Sequence, residues 1–126
     1  MIVGLGTDIV EIARIEHLWK RQGLKFAQRL LTAPELQELE QSAQPVHFLA
    51  KRWAAKEALA KALGTGIAQG VSFQDMTVVH NAQGQPTWEV TGETLRFMEE
   101  KNAGAYLSIS DEQHYALATV ILESKG

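Results

Sequence analysis

Apolar positions follow a helical rhythm through the first half of the chain and a strand-like one through the second. The strongest helical signal lies between Pro45 and Gly64. A proline suits a first helical turn, a glycine stops a helix, and the stretch between is rich in Ala, Leu, Lys and Glu. The spacing predicts a helix over about 45–63, roughly 28 Å long. Its charges are not segregated from its apolar residues. Glu57 shares a face with Ala50, Trp53, Ala54 and Ala60, Lys56 falls between Leu49 and Leu63 on the wheel, and Arg52 falls beside Phe48 and Leu59. A surface helix ordinarily separates the two kinds of residue, so some of these charges are expected to meet a partner, an ion or a ligand. Glu57 and Lys61, four apart, project from one side. An i,i+4 salt bridge is the common meaning of that spacing. The alternative is a carboxylate and an ammonium poised over one reacting phosphate.

The rest of the pattern fills in around this helix. Ile2, Val3 and Leu5, followed by Ile9, Val10 and Ile12, suggest a buried first strand of about six residues, with Gly4 and Gly6 where something approaches closely or the strand bends. Asp8 at its end fits an N-cap for a helix over about 10–22, with Glu11 completing a capping box. Gly4-x-Gly6 lacks the third glycine of a dinucleotide fingerprint, since position 9 is Ile. A short segment runs from Leu24 to Leu31. Thr32, with Pro34 and Glu35 behind it, caps a helix to about Gln41 whose Leu36 and Leu39 point inward. Strands follow at 76–80 and 87–90, joined by a loop containing Gly84 and Pro86. A helix spans about 91–102, ended by Gly104, and strands at 105–110 and 115–123 complete the chain. The last strand is almost continuously apolar, hence central or covered on both faces. Strand, helices, strands, helix, strands is an α+β order, with helices packed on a largely antiparallel sheet in one domain spanning 1–126.

Composition narrows the function. The chain is 45% hydrophobic and 21% charged, as globular chains are. It lacks cysteine, which excludes disulfides, thiolate nucleophiles and Cys-based zinc sites. No run is long enough to span a membrane, and the N-terminus has no basic region before an apolar one, so a cytoplasmic protein is expected. A net charge of −3 and a pI near 5.8 argue against a general nucleic-acid binder. Against that balance, Arg14, Lys20, Arg21, Lys25 and Arg29 are opposed locally only by Glu16. This is either an ordinary solvated face or a dock for an acidic partner.

His17, His47, His80 and His114 form no metal spacing, and no Gly-x-Ser-x-Gly elbow exists. What remains is Asp8 and Glu57 on separate elements, with Lys61 and a Gly64-Thr65-Gly66 turn nearby. Hard oxygen ligands beside a phosphate suit Mg²⁺, and a lysine steadies or protonates a leaving phosphate. The turn serves either as a plain helix stop or as a source of backbone N–H groups and a hydroxyl for an anion. The residues alone point to a phosphoryl-type transfer site. Two other readings use the same features, a Mg²⁺-dependent nucleotide pyrophosphatase and a non-catalytic module whose basic face binds an acidic protein.

Two stretches carry a resemblance. Gly4-Leu-Gly-Thr-Asp8-Ile-Val-Glu-Ile-Ala-Arg14 and Phe48-x-Ala50-x-Arg52-Trp53-Ala54-Ala55-Lys56-Glu57-Ala58-x-x-Lys61-Ala62-x-Gly64-Thr65-Gly66 resemble the two signatures of the bacterial holo-acyl-carrier-protein synthases. Arg29-Leu-Leu-Thr32-x-x-Glu35 and Tyr106-Leu-Ser-Ile-Ser110 resemble that family's middle segment and last core strand. The resemblance implies transfer of 4′-phosphopantetheine from coenzyme A to a serine of an apo-acyl carrier protein in fatty acid biosynthesis, with release of adenosine 3′,5′-bisphosphate. It assigns Mg²⁺ to Asp8 and Glu57. Glu57, directly or through water, becomes the base and Lys61 the acid for the leaving group. Coenzyme A falls to Arg52, Lys61, Gly64, Thr65, Gly66, Gly84 and Pro86, and the acidic carrier helix to Arg14, Arg21, Lys25, Phe26 and Arg29. It also implies a homotrimer with sites at subunit boundaries. One position departs from the pattern, since many relatives have His after Ser-Ile-Ser and this chain has Asp111.

Overall fold

The computed structural model describes residues 1–126. In chain order the elements are β1 (Ile2–Glu11), α1 (Ile12–Gln22), α2 (Leu24–Leu30), α3 (Ala33–Gln41), α4 (Pro45–Leu63), a 3₁₀ turn (Phe73–Asp75), β2 (Met76–His80), β3 (Pro86–Val90), α5 (Gly92–Glu100), β4 (Ala103–Asp111) and β5 (Tyr115–Ser124). The α+β expectation holds, but the strands form two antiparallel sheets. One has three strands in the order β1-β5-β4, and the other is the β2–β3 hairpin.

The long helix α4 spans Pro45 to Leu63 as the pattern predicts, and Gly64 ends it in the left-handed region at φ 83°. It lies across the inner face of the three-stranded sheet and supplies Leu49, Ala50, Ala54, Ala55, Ala58, Leu59 and Ala62 to the core. Small side chains allow a very close approach. A Cβ on Gly6 would sit 2.0 Å from the Ala58 carbonyl oxygen and 2.6 Å from the Ala62 amide nitrogen, and one on Gly4 would sit 2.4 Å from the Ala62 carbonyl oxygen. The two glycines predicted to mark a close approach are where strand backbone touches helix backbone.

Sequence and structure differ at several boundaries. β1 has ten residues rather than six, because its backbone pairs with β5 as far as Glu11 opposite Tyr115. Asp8 is therefore a strand residue opposite Ala118, not a helix cap. α1 begins at Ile12, whose amide donates to the His114 carbonyl, and Glu11 at its cap makes no side-chain capping bond. At the other end, Asn102 at φ 49° turns the chain out of α5, and Gly104 lies inside β4. β5 is central, as its apolar run predicts, but covered on one face only. Ala116, Ala118, Val120 and Leu122 are buried under α4, whereas Tyr115 and Leu117 on the opposite face are exposed. Leu5, Ile9 and Tyr106 are exposed as well, at 65%, 63% and 60%, and register places Leu5 and Tyr106 on either side of Ile121. No helix is long and apolar enough to cross a membrane.

The Gly6 contact yields a stability test. Gly6→Ala forces a methyl into helix backbone, which has no flexible end to move aside, and should cost on the order of 3 kcal/mol, seen as a lower thermal midpoint. Gly104→Ala meets nothing nearer than the Lys125 Cε at 3.7 Å and should melt close to wild type.

Candidate active site

Two faces of α4 carry charge, and the structure gives them different surroundings. Successive residues turn by about 100°, so Glu57 and Lys61 look toward β1 while Arg52 and Lys56 look toward α3. On the β1 side, Lys61 donates to Asp8 Oδ1 at 2.9 Å and to the Thr7 carbonyl at 3.0 Å. The i,i+4 bridge to Glu57 that spacing suggested does not form, because the strand carboxylate is the partner in reach. Asp8 Oδ2 is buried and has no hydrogen-bond partner. Burial, and then the charge of Asp8, pushes the Glu57 carboxyl above its usual range, while Lys61 and Arg14 pull it back. Asp8, Glu57, Lys61 and Arg14 thus share one electrostatic site at the junction of β1, α1 and α4.

Two carboxylates on neighbouring elements, one with an unpartnered buried oxygen, fit a hard divalent cation that keeps water and substrate oxygens as its other ligands. No cluster of three or more His, Cys, Asp or Glu side chains able to hold a metal exists in the chain. Soft-metal and fully protein-caged sites therefore do not fit, whereas a partial shell for Mg²⁺ does.

The basic segment flanks this site. Arg14, Arg21, Lys25 and Arg29 are exposed on α1 and α2. Phe26 lies at the floor of this face rather than on its rim. It is 3% exposed and packs 6.1 Å from Trp53, which in turn packs 5.6 Å from Phe73. The Arg14 guanidinium lies 5.9 Å above the Trp53 ring. Together with Leu18, Gln22, Arg29 and Leu30 these residues line a groove of about 470 Å³, with an apolar floor and a cationic rim. In the sequence Trp53 is a face-mate of Glu57 within the second signature stretch. Its part in seating Arg14 depends on how α1 crosses α4.

Other predicted site residues sit apart. Arg52 is buried, with its guanidinium 4.4 Å from the Phe48 ring, Nε 3.4 Å from Glu35 Oε2 and Nη2 3.3 Å from Glu38 Oε2. In the glycine turn, the Gly64 amide donates to the Lys61 carbonyl and the Gly66 amide to the Ala60 carbonyl. The Thr65 hydroxyl donates to the Gly66 carbonyl at 2.7 Å. Both glycine amides are engaged in capping the helix. Gly84, at φ 82°, shapes the β2–β3 turn, where Asn81 Oδ1 accepts from the Gln83 and Gln85 amides, and Pro86 opens β3. Asp111 Oδ2 lies 3.2 Å from His47 Nδ1, so its carboxylate accepts from that ring nitrogen.

The largest omission from the sequence reading is Glu35. Its place after Thr32 predicts a cap, and Thr32 and Glu35 do form a reciprocal capping box at α3. It is also fully buried, 2.6 Å from the Lys56 ammonium. Burial lowers the Lys56 pKa, with Glu35 opposing that effect. The available signal was Lys56 lying between Leu49 and Leu63 on the wheel.

Comparison with known proteins shows the family. A family model described as the 4′-phosphopantetheinyl transferase superfamily matches residues 4–120. The chain belongs to this superfamily. A holo-[acyl-carrier-protein] synthase of Hydrogenovibrio crunogenus is 54% identical over 127 aligned residues, covering 100% of both chains. The crystal structure of the Neisseria meningitidis holo-[acyl-carrier-protein] synthase superposes with a TM-score of 0.93 at 46% identity, over 98% of this chain and 100% of that one. The Bacillus anthracis holo-(acyl-carrier-protein) synthase, solved in complex with CoA (3′,5′-ADP), superposes at 0.84 with 38% identity and 99% coverage of each chain. The resemblance read from the two signatures therefore extends over the whole chain, and the protein is an enzyme of the phosphopantetheinyl transferase class.

The raised Glu57 carboxyl makes a prediction for the metal-free enzyme. Because its folded pKa lies above the unfolded value near 4.5, the folded state holds more protons across the interval between the two. Stability contributed by this group therefore falls as pH rises through that interval. Glu57→Gln should lack this loss and melt higher than wild type above it. Melting curves from pH 4 to 8 in chelator check this, and equal midpoints for the two proteins at pH 8 would refute it.

Proposed function

We propose that this enzyme transfers 4′-phosphopantetheine from coenzyme A to a serine of apo-acyl carrier protein, in a Mg²⁺-dependent reaction serving fatty acid biosynthesis. The observation that carries the reading is the pairing of Asp8 and Glu57 beside Lys61, with Asp8 Oδ2 buried and unpartnered, in a chain that matches holo-[acyl-carrier-protein] synthases from end to end. The carrier serine Oγ attacks the phosphorus bearing the pantetheine arm. A new P–O bond forms, the bridging P–O bond of the pyrophosphate breaks, and adenosine 3′,5′-bisphosphate leaves with the electron pair. Glu57, directly or through a water, takes the serine proton. Lys61 neutralises or protonates the departing phosphate. A Mg²⁺ ion held by Asp8 and Glu57 would supply charge neutralisation at the pyrophosphate oxygens. Nucleophile and leaving group both belong to substrates, so the protein needs no Ser, Cys or His nucleophile. Positioning and charge suffice.

Gly84, Pro86 and the Gly64 to Gly66 turn remain candidates for the coenzyme A side, as does Arg52, whose burial makes it a support more than a free ligand. Single-domain architecture over 1–126 is supported by one core of 27 buried apolar residues. A cytoplasmic location suits a chain without cysteine. For the homotrimer, the support is the uncovered outer face of β1, β4 and β5, with Leu5, Ile9, Tyr106 and Leu117 exposed together. Light scattering at micromolar concentration should give three copies. A stable, active monomer would refute the assembly.

Intact mass of an apo-acyl carrier protein after incubation with coenzyme A, Mg²⁺ and enzyme should rise by about 340 Da, one phosphopantetheine. Asp8→Asn and Glu57→Gln should each lower turnover by at least ~10², and EDTA should abolish it until Mg²⁺ or Mn²⁺ is restored. Release of the bisphosphate from coenzyme A without carrier would identify a pyrophosphatase instead, and carrier binding without mass gain a non-catalytic module.

Arg14 lies at the boundary of groove and carboxylate site, so it should orient the carrier, whereas Lys25 and Arg29 act farther out by steering. Arg14→Glu should raise KM for carrier sharply and leave KM for coenzyme A nearly unchanged. The wild-type advantage should shrink with salt, since exposed charges are screened beyond ~10 Å at 0.1 M. Equal damage to both constants would place Arg14 at the coenzyme A phosphates.

A further inference from the structure

Behind the catalytic face of α4 lies a buried cluster centred on Lys56 and Glu35. The Lys56 ammonium has three protons and three acceptors, Glu35 Oε1 at 2.6 Å, the Leu30 carbonyl at 2.7 Å and the Phe73 carbonyl at 3.2 Å. Glu35 Oε1 also accepts from the Thr32 amide and hydroxyl, and Oε2 from the Val78 amide at 3.0 Å. Lys56 and Glu35 are both fully buried. One pair of opposite charges thereby joins α4 to the last residue of α2, the first turn of α3, the 3₁₀ turn and β2. A capping box needs only the bonds to Thr32, and a buried ion pair is frequently no more stabilising than apolar residues of the same volume. The cluster therefore calls for a role besides stability.

We infer that Lys56 and Glu35 are positioning residues for the transfer reaction, fixing the roll of α4 and tying the carrier-docking helix α2 to Glu57. The glycine contacts with β1 set how closely α4 approaches the sheet, and the Lys56 network holds its opposite side. Lys56 is the residue before Glu57, so a bond network closed around its ammonium fixes the direction in which Glu57 projects. The same ammonium holds the Leu30 carbonyl at the end of α2, one residue beyond Arg29. Displacement of α2 is thus transmitted to the base over a single residue step. The Phe73 carbonyl is held in the same way, and the Phe73 ring is part of the aromatic floor under Arg14.

This inference rests on the transfer reaction proposed above, and the test separates the two. Lys56→Met alone leaves Glu35 buried without its main partner and is expected to fold poorly. Glu35→Met/Lys56→Met removes both charges at nearly constant volume and leaves Arg52 its pairing with Glu38. Its melting midpoint, kcat, KM for coenzyme A and KM for carrier are measured alongside wild type, well below the lower midpoint. A displaced but intact base should lower kcat by about tenfold or more and raise KM for carrier, with KM for coenzyme A kept within about twofold. Wild-type kcat and carrier KM in the folded double variant overturn the inference, because a purely structural cluster moves only the midpoint. If the double variant does not fold, Thr32→Val decides. It keeps both charges and deletes one hydroxyl donor to Glu35, and should lower kcat by about threefold without changing KM for coenzyme A. An unchanged kcat there overturns the proposal as well. A wild-type enzyme that gives no mass gain on the carrier overturns the transfer reaction, and this inference with it.

Discussion

Contact between the backbone of β1 and the backbone of α4 is the constraint on which the other features depend. Gly6 lies where any Cβ would overlap the Ala58 carbonyl oxygen, only 2.0 Å away. Only glycine on the strand and alanine on the helix let the two approach this closely. The consequence is chemical as well as structural. Asp8 is two residues beyond Gly6 on the same face of β1, so the approach that excludes a side chain at position 6 brings the Asp8 carboxylate to Lys61 and into the field of Glu57. A looser strand–helix contact would leave the two acids apart and exposed.

The opposite side of α4 is held by charge rather than by close packing. Removing one member of a buried, hydrogen-bonded pair leaves an uncompensated charge and costs ~3–5 kcal/mol. The arrangement therefore tolerates little drift, even if its net stabilisation is small. Glu35 is central because it satisfies an amide and a hydroxyl at its own helix start, an ammonium on α4 and an amide on β2 at once. A helix gripped by backbone contact on one face and by saturated hydrogen bonds on another is a rigid mount for two functional side chains, as preorganised electrostatics requires.

The division of the surface follows from the same packing. One face of the three-stranded sheet is filled by α4. The other carries Leu5, Ile9, Tyr106 and Leu117 with nothing over them in the single chain. On the far side of the carboxylates, the aromatic floor of Phe26, Trp53 and Phe73 is rimmed by Arg14 and Arg29. Apolar exposure and basic exposure are thus kept on separate faces, with the paired carboxylates between the α1–α2 face and the sheet.

Some of this was readable before any fold was known. The limits of α4 follow from Pro45, Gly64 and the helix formers between them, because these act through local backbone geometry. The β2–β3 hairpin and the α3 cap are local in the same sense. Wheel positions already showed that Lys56 and Arg52 stand among apolar residues, and the two signature stretches singled out Asp8, Glu57 and Lys61. Tertiary structure decided the rest. Asp8 looked like a helix cap because its neighbours in sequence permit one, yet pairing with Ala118, 110 positions away by number, keeps it in a strand. Glu57 and Lys61 looked like each other's partners, yet Lys61 bonds Asp8, since the nearest opposite charge in space comes from another element. Glu35 looked like half of a capping box and is also the counter-charge of Lys56, a pairing across 21 residues that no local rule encodes. Local propensity fixes where elements begin and end. Which charge meets which is settled only when packed elements remove the alternatives of water and mobility.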